Sequence, residues 1–403
     1  MKLEQIVRDP LGSFIYLERY CHFLEYPDLA KWGDFRPEYS SFSHDNPVNL
    51  FILKIPIKDV GLSFTGVTSK IVNRFITPNV AYLPVHPQIF EEKSCPIINK
   101  AVQYALAVNK LEAQPTASIR TLFVSGENPF FVKVHFPKRI SSLTREVTLE
   151  DIERGRWMTN EFKRAADFSE LPKDIGFFPE LLGIWYEMGG NSAGAIIRDF
   201  NPYPALDKTY SLPLCSLFSK DVKSPTDKPL LFSLAEINNK KPSDYLIEEI
   251  ITPHLKQWAW LVFEFGVIFN SHGQNIVLQF GEDWKVRRFD YRDFQGRLVA
   301  QQIREKKGLP LPQHFLTREK NMDFSKEISV CYDFMVGSRL YKRLLEPLKR
   351  EGYDVLPLIE RIRKVFAQVV GDNKKHFKNT RIYYKGLTTE WRQVDTGMAP
   401  KYR

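Results

Sequence analysis

The segment Asn270-Ser-His-Gly-Gln-Asn-Ile-Val-Leu-Gln-Phe280 is followed, after a short turn, by Arg288-Phe-Asp-Tyr-Arg-Asp-Phe-Gln-Gly296. The apolar runs within and just before these two segments are typical of two strands joined by a turn. A hairpin returns its second strand to the level at which the first strand began. We therefore expect Asn275 and Asp293 to lie close together, at the same end of the hairpin.

The residues at this end of the hairpin have the chemistry of a magnesium and nucleotide site. The side-chain oxygens of Asn275 and Asp293 are the hard ligands that Mg²⁺ prefers, with nucleotide phosphates filling the remaining positions. Protein kinases place a loop with His and Asn, a hairpin and Asp-Phe-Gly in the same order. His272 could donate to a phosphate or carboxylate or transfer a proton, although a histidine beside a loop is often structural. Asp290 is a rival ligand, but its position within the strand favours an ion pair with a neighbouring arginine.

A second polar group lies between Ser118 and Phe136, where two strand-like runs flank the turn Gly126-Glu-Asn-Pro129. Strand alternation places Ser118 and Arg120 on one face, and pairing of the two runs as a hairpin brings Lys133 towards them. Arginine offers phosphate or carboxylate a bidentate fork, and lysine offers a mobile point charge. The alternative for these residues is the solvated outer face of an antiparallel pair of strands.

The patterning of the 403 residues as a whole predicts an α+β protein, β-rich in its first part and more helical in its second. Thr148 resembles the start of a capping box that opens an amphipathic helix, and Arg145 lies just before it. We place a domain boundary here, which gives a first domain of residues 1–147 and a second of residues 148–403. Helical patterning also runs from Pro242 to Phe269.

Composition and charge exclude several classes of protein. The net charge of +9 attracts phosphate or carboxylate groups, but the chain has no RNP motif, zinc finger or lysine-rich tail, so we do not expect it to bind nucleic acid. The four cysteines are far apart and form no CxxC pair. The first residues lack the apolar core of a signal peptide, and the most apolar run, Trp258 to Phe269, is too short to span a bilayer. These observations predict a cytoplasmic protein with reduced thiols and no membrane partner.

Taken together, the polar segments resemble the IucA/IucC family, the siderophore synthetases that work without a nonribosomal peptide synthetase. Each piece alone is a weak signal, whereas the ordered set is specific. The resemblance covers residues 80 to 300 best. In the order of the family, the matching pieces are Leu83-Pro-Val-His-Pro87, Pro115-Thr-Ala-Ser-Ile-Arg-Thr121, Lys133, Thr144-Arg145, His272-Gly-Gln-Asn275 and Arg292-Asp-Phe-Gln-Gly296.

The resemblance implies both a fold and a reaction. The family fold is a cupped hand, in which β-rich fingers carrying the ATP phosphate-binding strands are followed by a kinase-like helical palm. The implied activity is that of an ATP-dependent ligase in siderophore biosynthesis and iron acquisition. It adenylates a carboxylate, citrate or a citrate derivative, releases pyrophosphate, and passes the acyl group to an amine or hydroxyl. Clustered cations and Mg²⁺ offset the repulsion between carboxylate and phosphate in such a step.

The resemblance also implies roles for individual residues. Arg145 and His272 would lie between the α-phosphate and the acid, and with Lys133 they form the implied catalytic set. Asp293 would hold Mg²⁺ together with Asn275. The residues implied to bind ATP are Ser118, Arg120, Thr121, Lys133, Gln274 and Asn275.

The chain departs from the family pattern in three places. It is short at its front, the Gly-His-Pro…His-Pro…Lys nucleotide loop is not found, and Asn270 stands where an acidic residue is expected. Two alternatives therefore stay open: a kinase-like phosphotransferase that splits ATP at the γ-phosphate, and a catalytically impaired or partner-dependent binding subunit. The sequence leaves open the acid, the nucleophile, the regiochemistry and the oligomeric state, for which a homodimer is one option.

Two further residues have open roles. His86 in Pro-Val-His-Pro is equally suited to a rigid turn and to a functional role. Arg198 either reaches the pocket or forms a buried ion pair with Asp199.

Overall fold

The computed structural model describes residues 1–21, 33–41, 45–140, 143–269, 271–294, 297–312, 323–385 and 392–403, which form two compact units. The sheet unit comprises Glu18–Pro172 and Gly176–Asp207. The helical unit comprises Met1–Leu17, Lys173–Ile175 and Lys208–Arg403. This division differs from the predicted boundary after residue 147, because the helix and strands that follow this point pack within the sheet unit.

An eight-stranded sheet is the framework of the sheet unit, and its strand order is β2-β10-β11-β6-β5-β4-β1-β3. Strands β7 and β8, which follow β6 in the sequence, form a separate two-stranded sheet. Among the residues that the structure describes, the first eleven strands are β1 (Val48–Pro56), β2 (Gly61–Phe64), β3 (Val80–Val85), β4 (Ala107–Pro115), β5 (Thr121–Val124), β6 (Phe130–Val134), β7 (Phe136–Ile140), β8 (Leu143–Arg145), β9 (Ile175–Phe177), β10 (Glu180–Met188) and β11 (Asn191–Asp199).

Helices pack against both faces of this sheet. The longest of them begins with the predicted capping box: the hydroxyl of Thr148 accepts from the Asp151 amide, and the Asp151 carboxylate accepts from the Thr148 amide. Within the described ranges, the first five α-helices are α1 (Leu3–Arg8), α2 (Pro10–Tyr20), α3 (Pro87–Glu92), α4 (Pro96–Tyr104) and α5 (Leu149–Asp167).

Helix α5 can approach the sheet closely because the strands beneath it carry glycines. A methyl carbon built at Gly183 would lie 2.1 Å from Cγ2 of Ile152, and one built at Gly194 would lie 3.0 Å from its Cδ1. The Ile152 side chain occupies the space that these residues leave, and it packs with Val147 and Ile196. The opposite face of the sheet carries the larger apolar core, which includes Phe130, Val132 and Val134 of strand β6. All five residues of this strand are buried.

The helical unit combines a small sheet with long helices. Its main sheet has the order β12-β14-β15-β9, and the pairs β13-β16 and β17-β18 complete its strands. These strands are β12 (Thr209–Pro213), β13 (Val267–Phe269), β14 (Ile276–Gly281), β15 (Val286–Tyr291), β16 (Arg297–Val299), β17 (Ile382–Lys385) and β18 (Arg392–Asp395).

Two of the helices in this unit contain π-wound segments, Leu246–Ile251 and Cys331–Tyr341. The α-helical parts are α6 (Leu230–Ile237), α7 (Pro242–Tyr245), α8 (Thr252–Phe263), α9 (Gln301–Lys306), α10 (Phe324–Val330), α11 (Lys342–Arg350) and α12 (Leu356–Val370).

The predicted helix from Pro242 to Phe269 is wrong at its C-terminal end. Helix α8 ends at Phe263, and Val267–Phe269 forms strand β13. The reason is Gly266, whose φ of +70° is left-handed and ends the helical winding.

The core of the helical unit is aromatic. The fully buried Trp258 of α8 meets Tyr332 edge-on, with ring centroids 5.0 Å apart, and Tyr332 lies 4.7 Å from Phe366 of α12. Such tilted and edge-on pairs add to the free energy of apolar burial. Within the described ranges, none of the helices has the length and apolar character needed to cross a bilayer.

Candidate active site

The predicted hairpin in the sheet unit is confirmed. Strands β5 and β6 pair antiparallel around the turn at Gly126, with Thr121 opposite Lys133. The amide of Val134 donates to the Arg120 carbonyl at 3.0 Å, so the pairing extends to Arg120. The backbones of Arg120, Thr121 and Lys133 therefore lie side by side at one end of this hairpin.

Ser118 and Arg120 do not lie on a strand, so the predicted alternation is wrong for them. Strand β4 ends at Pro115 and β5 begins at Thr121, and the residues between them form a compact turn. The turn is held by side chains: the Thr116 hydroxyl donates to the Thr121 carbonyl at 2.7 Å, and the Thr121 amide donates to the Ser118 hydroxyl at 3.1 Å. Ser and Thr side chains that bond the local backbone compete with strand pairing in this way.

Within this turn, Ile119 adopts a φ of +64°. A β-branched residue in this region costs about 1–3 kcal/mol. The Ile119 side chain is 1% exposed and belongs to the main core, and this burial offsets the cost. Packing of one apolar side chain thus fixes the backbone that carries Ser118 and Arg120.

The cations of this hairpin are buried and held in place. Arg120 is 8% exposed and its Nη1 donates to the Glu146 carbonyl at 2.6 Å, while Lys133 is 2% exposed. Arg145, half-buried, precedes Glu146 and pairs with Phe136 at the end of β8. Charged groups in such positions have lost much of their hydration, so they interact strongly with an anion that reaches them.

His86 is structural in its immediate contacts. It is fully buried, its Nδ1 accepts from the Gln88 amide at 3.2 Å at the start of α3, and its ring meets Phe136 edge-on. Burial lowers the pKa of His86 to about 3, and the charge of Arg36 acts in the same direction. The imidazole is therefore neutral at physiological pH.

Arg198 forms a buried ion pair, but not with Asp199. Its Nη2 lies 2.7 Å from Oε1 of Glu180 on the neighbouring strand, and both side chains are almost fully buried. The cross-strand register places Arg198 directly opposite Glu180, whereas Asp199, the adjacent residue, points to the other face.

The predicted hairpin in the helical unit is also confirmed. Strands β14 and β15 pair with Ile276 opposite Tyr291, and the Arg292 amide donates to the Asn275 carbonyl at 3.1 Å. Asn275 and Asp293 therefore lie at the same end of the hairpin. Asp293 is half-buried and has a φ of +65°, which Asp tolerates better than most residues.

The loop before β14 is a tight turn that positions His272. The amide of Asn275 donates to the His272 carbonyl at 2.9 Å, and the amide of Gln274 donates to Nδ1 of His272 at 3.3 Å. An Nδ1 that accepts a hydrogen bond leaves the proton of the neutral ring on Nε2. The half-exposed ring thus presents an N–H donor at Nε2.

Two contacts hold this loop from outside. Arg292 donates from Nε at 2.8 Å and from Nη2 at 2.6 Å to the single carbonyl oxygen of Gln274. The Gly273 carbonyl accepts from the Cys215 amide at 3.0 Å, and a methyl carbon built at Gly273 would lie 2.9 Å from the Phe218 ring. Sequence reasoning missed the positioning role of Arg292, although its place directly after β15 was a usable signal.

Asp290 is an ion-pair partner, as its strand position predicted. Its Oδ1 lies 2.6 Å from Nε of Arg288 and its Oδ2 accepts from Gln279 at 2.7 Å. Burial raises the pKa of Asp290 to about 6, and the charge of Arg288 opposes this rise. The carboxylate is fully buried within the sheet and its oxygens are engaged there.

The donor set at the end of the β14–β15 hairpin fits Mg²⁺ bound together with a nucleotide. Asn275 contributes an amide oxygen and Asp293 a carboxylate, and Mg²⁺ is commonly held by few protein ligands, with phosphates and water completing its octahedron. Among the residues that the structure describes, no group of three or more His, Cys, Asp or Glu side chains could hold a metal by itself. Asn270 and the pair Gln295 and Gly296 lie outside the described residues.

The candidate residues fall into two groups. Ser118, Arg120, Thr121, Lys133 and Arg145 lie in the sheet unit, and His272, Gln274, Asn275 and Asp293 lie in the helical unit. Each group is assembled locally around the end of one hairpin.

Sequence comparisons identify two families. Residues 62–219 match the IucA / IucC family, and residues 255–338 match the family described as ferric iron reductase FhuF-like transporter. A spermidine-citrate ligase from Bacillus anthracis is 23% identical over 202 residues, which are 47% of this chain and 32% of that protein. The aligned part thus spans about a third of the length of this curated relative.

Solved structures show the same fold. The petrobactin biosynthesis protein AsbB from Bacillus anthracis str. Sterne matches with a TM-score of 0.68 and 16% identity, over 95% of this chain and 71% of its own. The ATP-bound aerobactin synthetase IucA from a hypervirulent pathotype of Klebsiella pneumoniae matches with a TM-score of 0.69 and 14% identity, over 99% and 80% respectively. The predicted α+β fold is confirmed.

Proposed function

The chain is similar in sequence and fold to the IucA/IucC siderophore synthetases, and from this premise we propose that it is an ATP-dependent ligase that adenylates a carboxylic acid and joins it to an amine or hydroxyl. The observation that carries the proposal is the pair of polar hairpin ends, one cationic and one bearing Asn275 and Asp293. Both lie on the motifs by which the chain resembles this family. Citrate or a citrate derivative is the acid, in keeping with the spermidine-citrate ligase that the chain resembles.

The first step brings anions together. A carboxylate oxygen of the acid attacks the α-phosphorus of ATP, a P–O bond forms, and pyrophosphate leaves. Arg120 and Lys133 bind the phosphates, and the Ser118 and Thr121 hydroxyls donate to phosphate oxygens. Because both cations are largely removed from water, their attraction for the extra charge of the transition state is stronger than in solution.

His272 and Arg145 act between the α-phosphate and the acid. Because Nδ1 of His272 accepts a backbone hydrogen bond, the neutral ring carries its proton on Nε2, which donates a hydrogen bond to a phosphate or carboxylate oxygen and does not serve as a base. Arg145 offers its fork to the carboxylate and orients it for attack. Gln274 and Asn275, which follow His272 in the same loop, contribute to binding of the nucleotide.

The metal site is the end of the β14–β15 hairpin. Asp293 and Asn275 would hold Mg²⁺, which when bound supplies positive charge to the triphosphate and leaving pyrophosphate. In the second step the amine or hydroxyl attacks the acyl carbonyl, a C–N or C–O bond forms, and AMP leaves with the electron pair of the broken bond. The proton of the nucleophile passes to solvent or to the departing phosphate.

The test is the fate of ATP in the purified chain with Mg²⁺, citrate and hydroxylamine. The proposal requires AMP, pyrophosphate and a trapped hydroxamate. Citrate labelled with ¹⁸O in its carboxylates should transfer one label to AMP, because the attacking oxygen stays on phosphorus. Lys58→Gln, a charge change at an exposed residue of the sheet unit, serves as the control variant.

A kinase-like phosphotransferase is the second candidate, favoured by the order of the His-Gly-Gln-Asn loop, hairpin and Asp293. It requires ADP and a phosphorylated product, with no label in the nucleotide. If the purified chain cleaves no ATP in the presence of citrate or of other polycarboxylates, it is a binding subunit that is inactive alone.

A further inference from the structure

A polar cavity of about 200 Å³ lies in the C-terminal part of the helical unit, and none of its lining residues belongs to the candidate active site. Its walls come from the π-wound segment Cys331–Tyr341, the start of α11, strand β17 with the residue before it, and the segment after β18. Three of its lining side chains are cations, Lys342, Arg381 and Lys401. They come from separate parts of the chain that the fold brings to one place.

The carboxylate in this lining does not neutralise them. Asp333 is held by Arg403, whose Nε lies 2.8 Å from Oδ1 and whose Nη2 lies 3.0 Å from Oδ2. The Ile382 amide also donates to Oδ2 at 3.0 Å. Both oxygens of Asp333 are therefore engaged, and its charge is offset by an arginine outside the lining. Glu346, whose charge adds to the rise that burial causes in the pKa of Tyr402, pairs with Arg343 at 3.1 Å.

Among the described residues, the three cations make no comparable ion pair, although the charge of Arg381 also acts on Asp333: burial raises the pKa of that carboxyl, and Arg381 opposes this rise. Over the described ranges of the chain, neither Lys342, Arg381 nor Lys401 forms an ion pair with a carboxylate. Like charges that share one cavity repel each other, and a bound anion relieves that repulsion. Among the residues that the structure describes, the cavity thus has a net positive charge that no carboxylate balances.

Arg381 is also orientated for recognition. Its guanidinium carbon lies 4.4 Å from the centre of the Tyr383 ring, and its Nη2 reaches the Ser338 hydroxyl at 3.4 Å. Stacking fixes the plane of the guanidinium and leaves donors at its edge, which is the geometry that binds carboxylate or phosphate in a bidentate manner. Tyr383 lies on the same wall, and the Ser338 hydroxyl that accepts from Arg381 donates to the Asp333 carbonyl at 3.2 Å.

We propose that this cavity is a second anion site, which binds a small polyanion with two or more carboxylate or phosphate groups. A polyanion is required because one carboxylate engages only one of the three cations well. The volume of about 200 Å³ suits a molecule the size of a tricarboxylate or pyrophosphate. The site is independent of the proposed ligase reaction, since its residues play no part in that chemistry.

The test measures binding in a background that lacks the proposed ATP site, Arg120→Ala with Asp293→Asn. Citrate and pyrophosphate are titrated separately by calorimetry, with acetate as the monovalent control, and they distinguish the carboxylate from the phosphate source. In this background we expect one polyanion to bind with 1:1 stoichiometry and acetate not to bind. Adding Lys342→Gln and Arg381→Gln should weaken that binding at least about tenfold.

The matched control removes two positive charges elsewhere on the same unit. Lys349 and Lys364 are exposed, so Lys349→Gln with Lys364→Gln changes the net charge equally without touching the cavity. Equal loss of affinity in the two double variants, or no polyanion binding in the background, would overturn the proposal. Lys401→Gln, a change at an exposed side chain, gives an independent reading if the Arg381 variant does not fold. The ligase proposal is tested separately, by whether the purified chain converts ATP to AMP and pyrophosphate, so the two proposals can fail independently.

Discussion

The guanidinium of Arg292 donates two hydrogen bonds to one backbone oxygen, the carbonyl of Gln274, at 2.8 and 2.6 Å. Its own amide donates to the next carbonyl, that of Asn275. One residue therefore ties the His272 loop to the strand that leads into Asp293. The His272 loop and Asp293, the proposed metal ligand, are fixed relative to each other through this contact.

Replacing Arg292 with Lys should lower kcat by about 10- to 100-fold, because a lysine cannot supply two donors in one plane. The Gln274 carbonyl keeps at most one of its two side-chain donors, so the free energy of unfolding should also fall by about 1 kcal/mol. Steady-state AMP release and urea unfolding measure the two effects. Arg287→Lys is the control, since Arg287 lies on the same strand but is exposed. Equal kcat in the two variants would remove the positioning role of Arg292.

Removing the charge of Asp293 should abolish most turnover without unfolding the chain. Asp293→Asn is the informative change, because Asn also tolerates the observed φ of +65°. We expect a loss of about 10²–10³-fold in kcat, the size seen when one group that stabilises transition-state charge is removed. An unchanged melting temperature would show that the loss is chemical. A variant with wild-type turnover at limiting Mg²⁺ would exclude Asp293 as a metal ligand.

Arg120→Ala tests the other group of residues. Its Nη1 bonds the carbonyl of Glu146, an exposed residue, so water can replace the lost donor and the fold should persist. We expect turnover to fall about 10²-fold or more and the KM for ATP to rise. Lys58→Gln should leave both constants unchanged. If Arg120→Ala alters only the thermal stability, its role is structural.

Hairpins were predictable from the sequence because their signals are local. Alternating apolar runs around a turn indicated both β5–β6 and β14–β15, and the second register followed from returning the chain to its starting level. The same logic placed Asn275 beside Asp293. The capping box of Thr148 and Asp151, which spans only four residues, likewise predicted where α5 begins.

The turn carrying Ser118 and Arg120 was not predictable in this way. Its positive φ at Ile119 depends on burial of that side chain in a core built from distant strands. Thr116 and Ser118 are residue types whose hydroxyls often form hydrogen bonds in turns, and this was a possible signal. The alternation of the neighbouring apolar residues is, however, also typical of a strand. The Arg198–Glu180 ion pair also depends on a cross-strand register that no local pattern specifies.

Gly273→Ala should damage the His272 loop. A methyl carbon at this position would lie 2.9 Å from the Phe218 ring and 3.3 Å from Cα of Cys215, so the loop or the ring must move. We expect kcat to fall about tenfold or more and the free energy of unfolding to fall by about 1–3 kcal/mol. Gly66→Ala is the control, because its nearest neighbour, Oδ1 of Asn160, lies 3.5 Å away. Wild-type kcat in Gly273→Ala would show that the loop geometry is not needed for turnover.

The buried histidine of the sheet unit should make the chain sensitive to acid. Burial lowers the pKa of His86 to about 3, whereas its value in the unfolded chain is near 6.5. Between these values the unfolded state binds more protons, so stability is present above pH 6.5 and is lost as the pH falls towards 3. From pH 7 to pH 5 this one group should lower the free energy of unfolding by about 2 kcal/mol.

His86→Asn isolates this contribution. Asparagine retains an acceptor for the Gln88 amide at the start of α3 but does not titrate. Urea unfolding at pH 7 and pH 5 should therefore show a smaller pH dependence in the variant, whatever its stability at pH 7. His254, fully buried in the helical unit with a pKa also lowered to about 3, should keep the remainder of the acid sensitivity in His86→Asn. An unchanged difference between the two pH values would mean that His86 is protonated in the folded chain, and that its burial does not govern its charge.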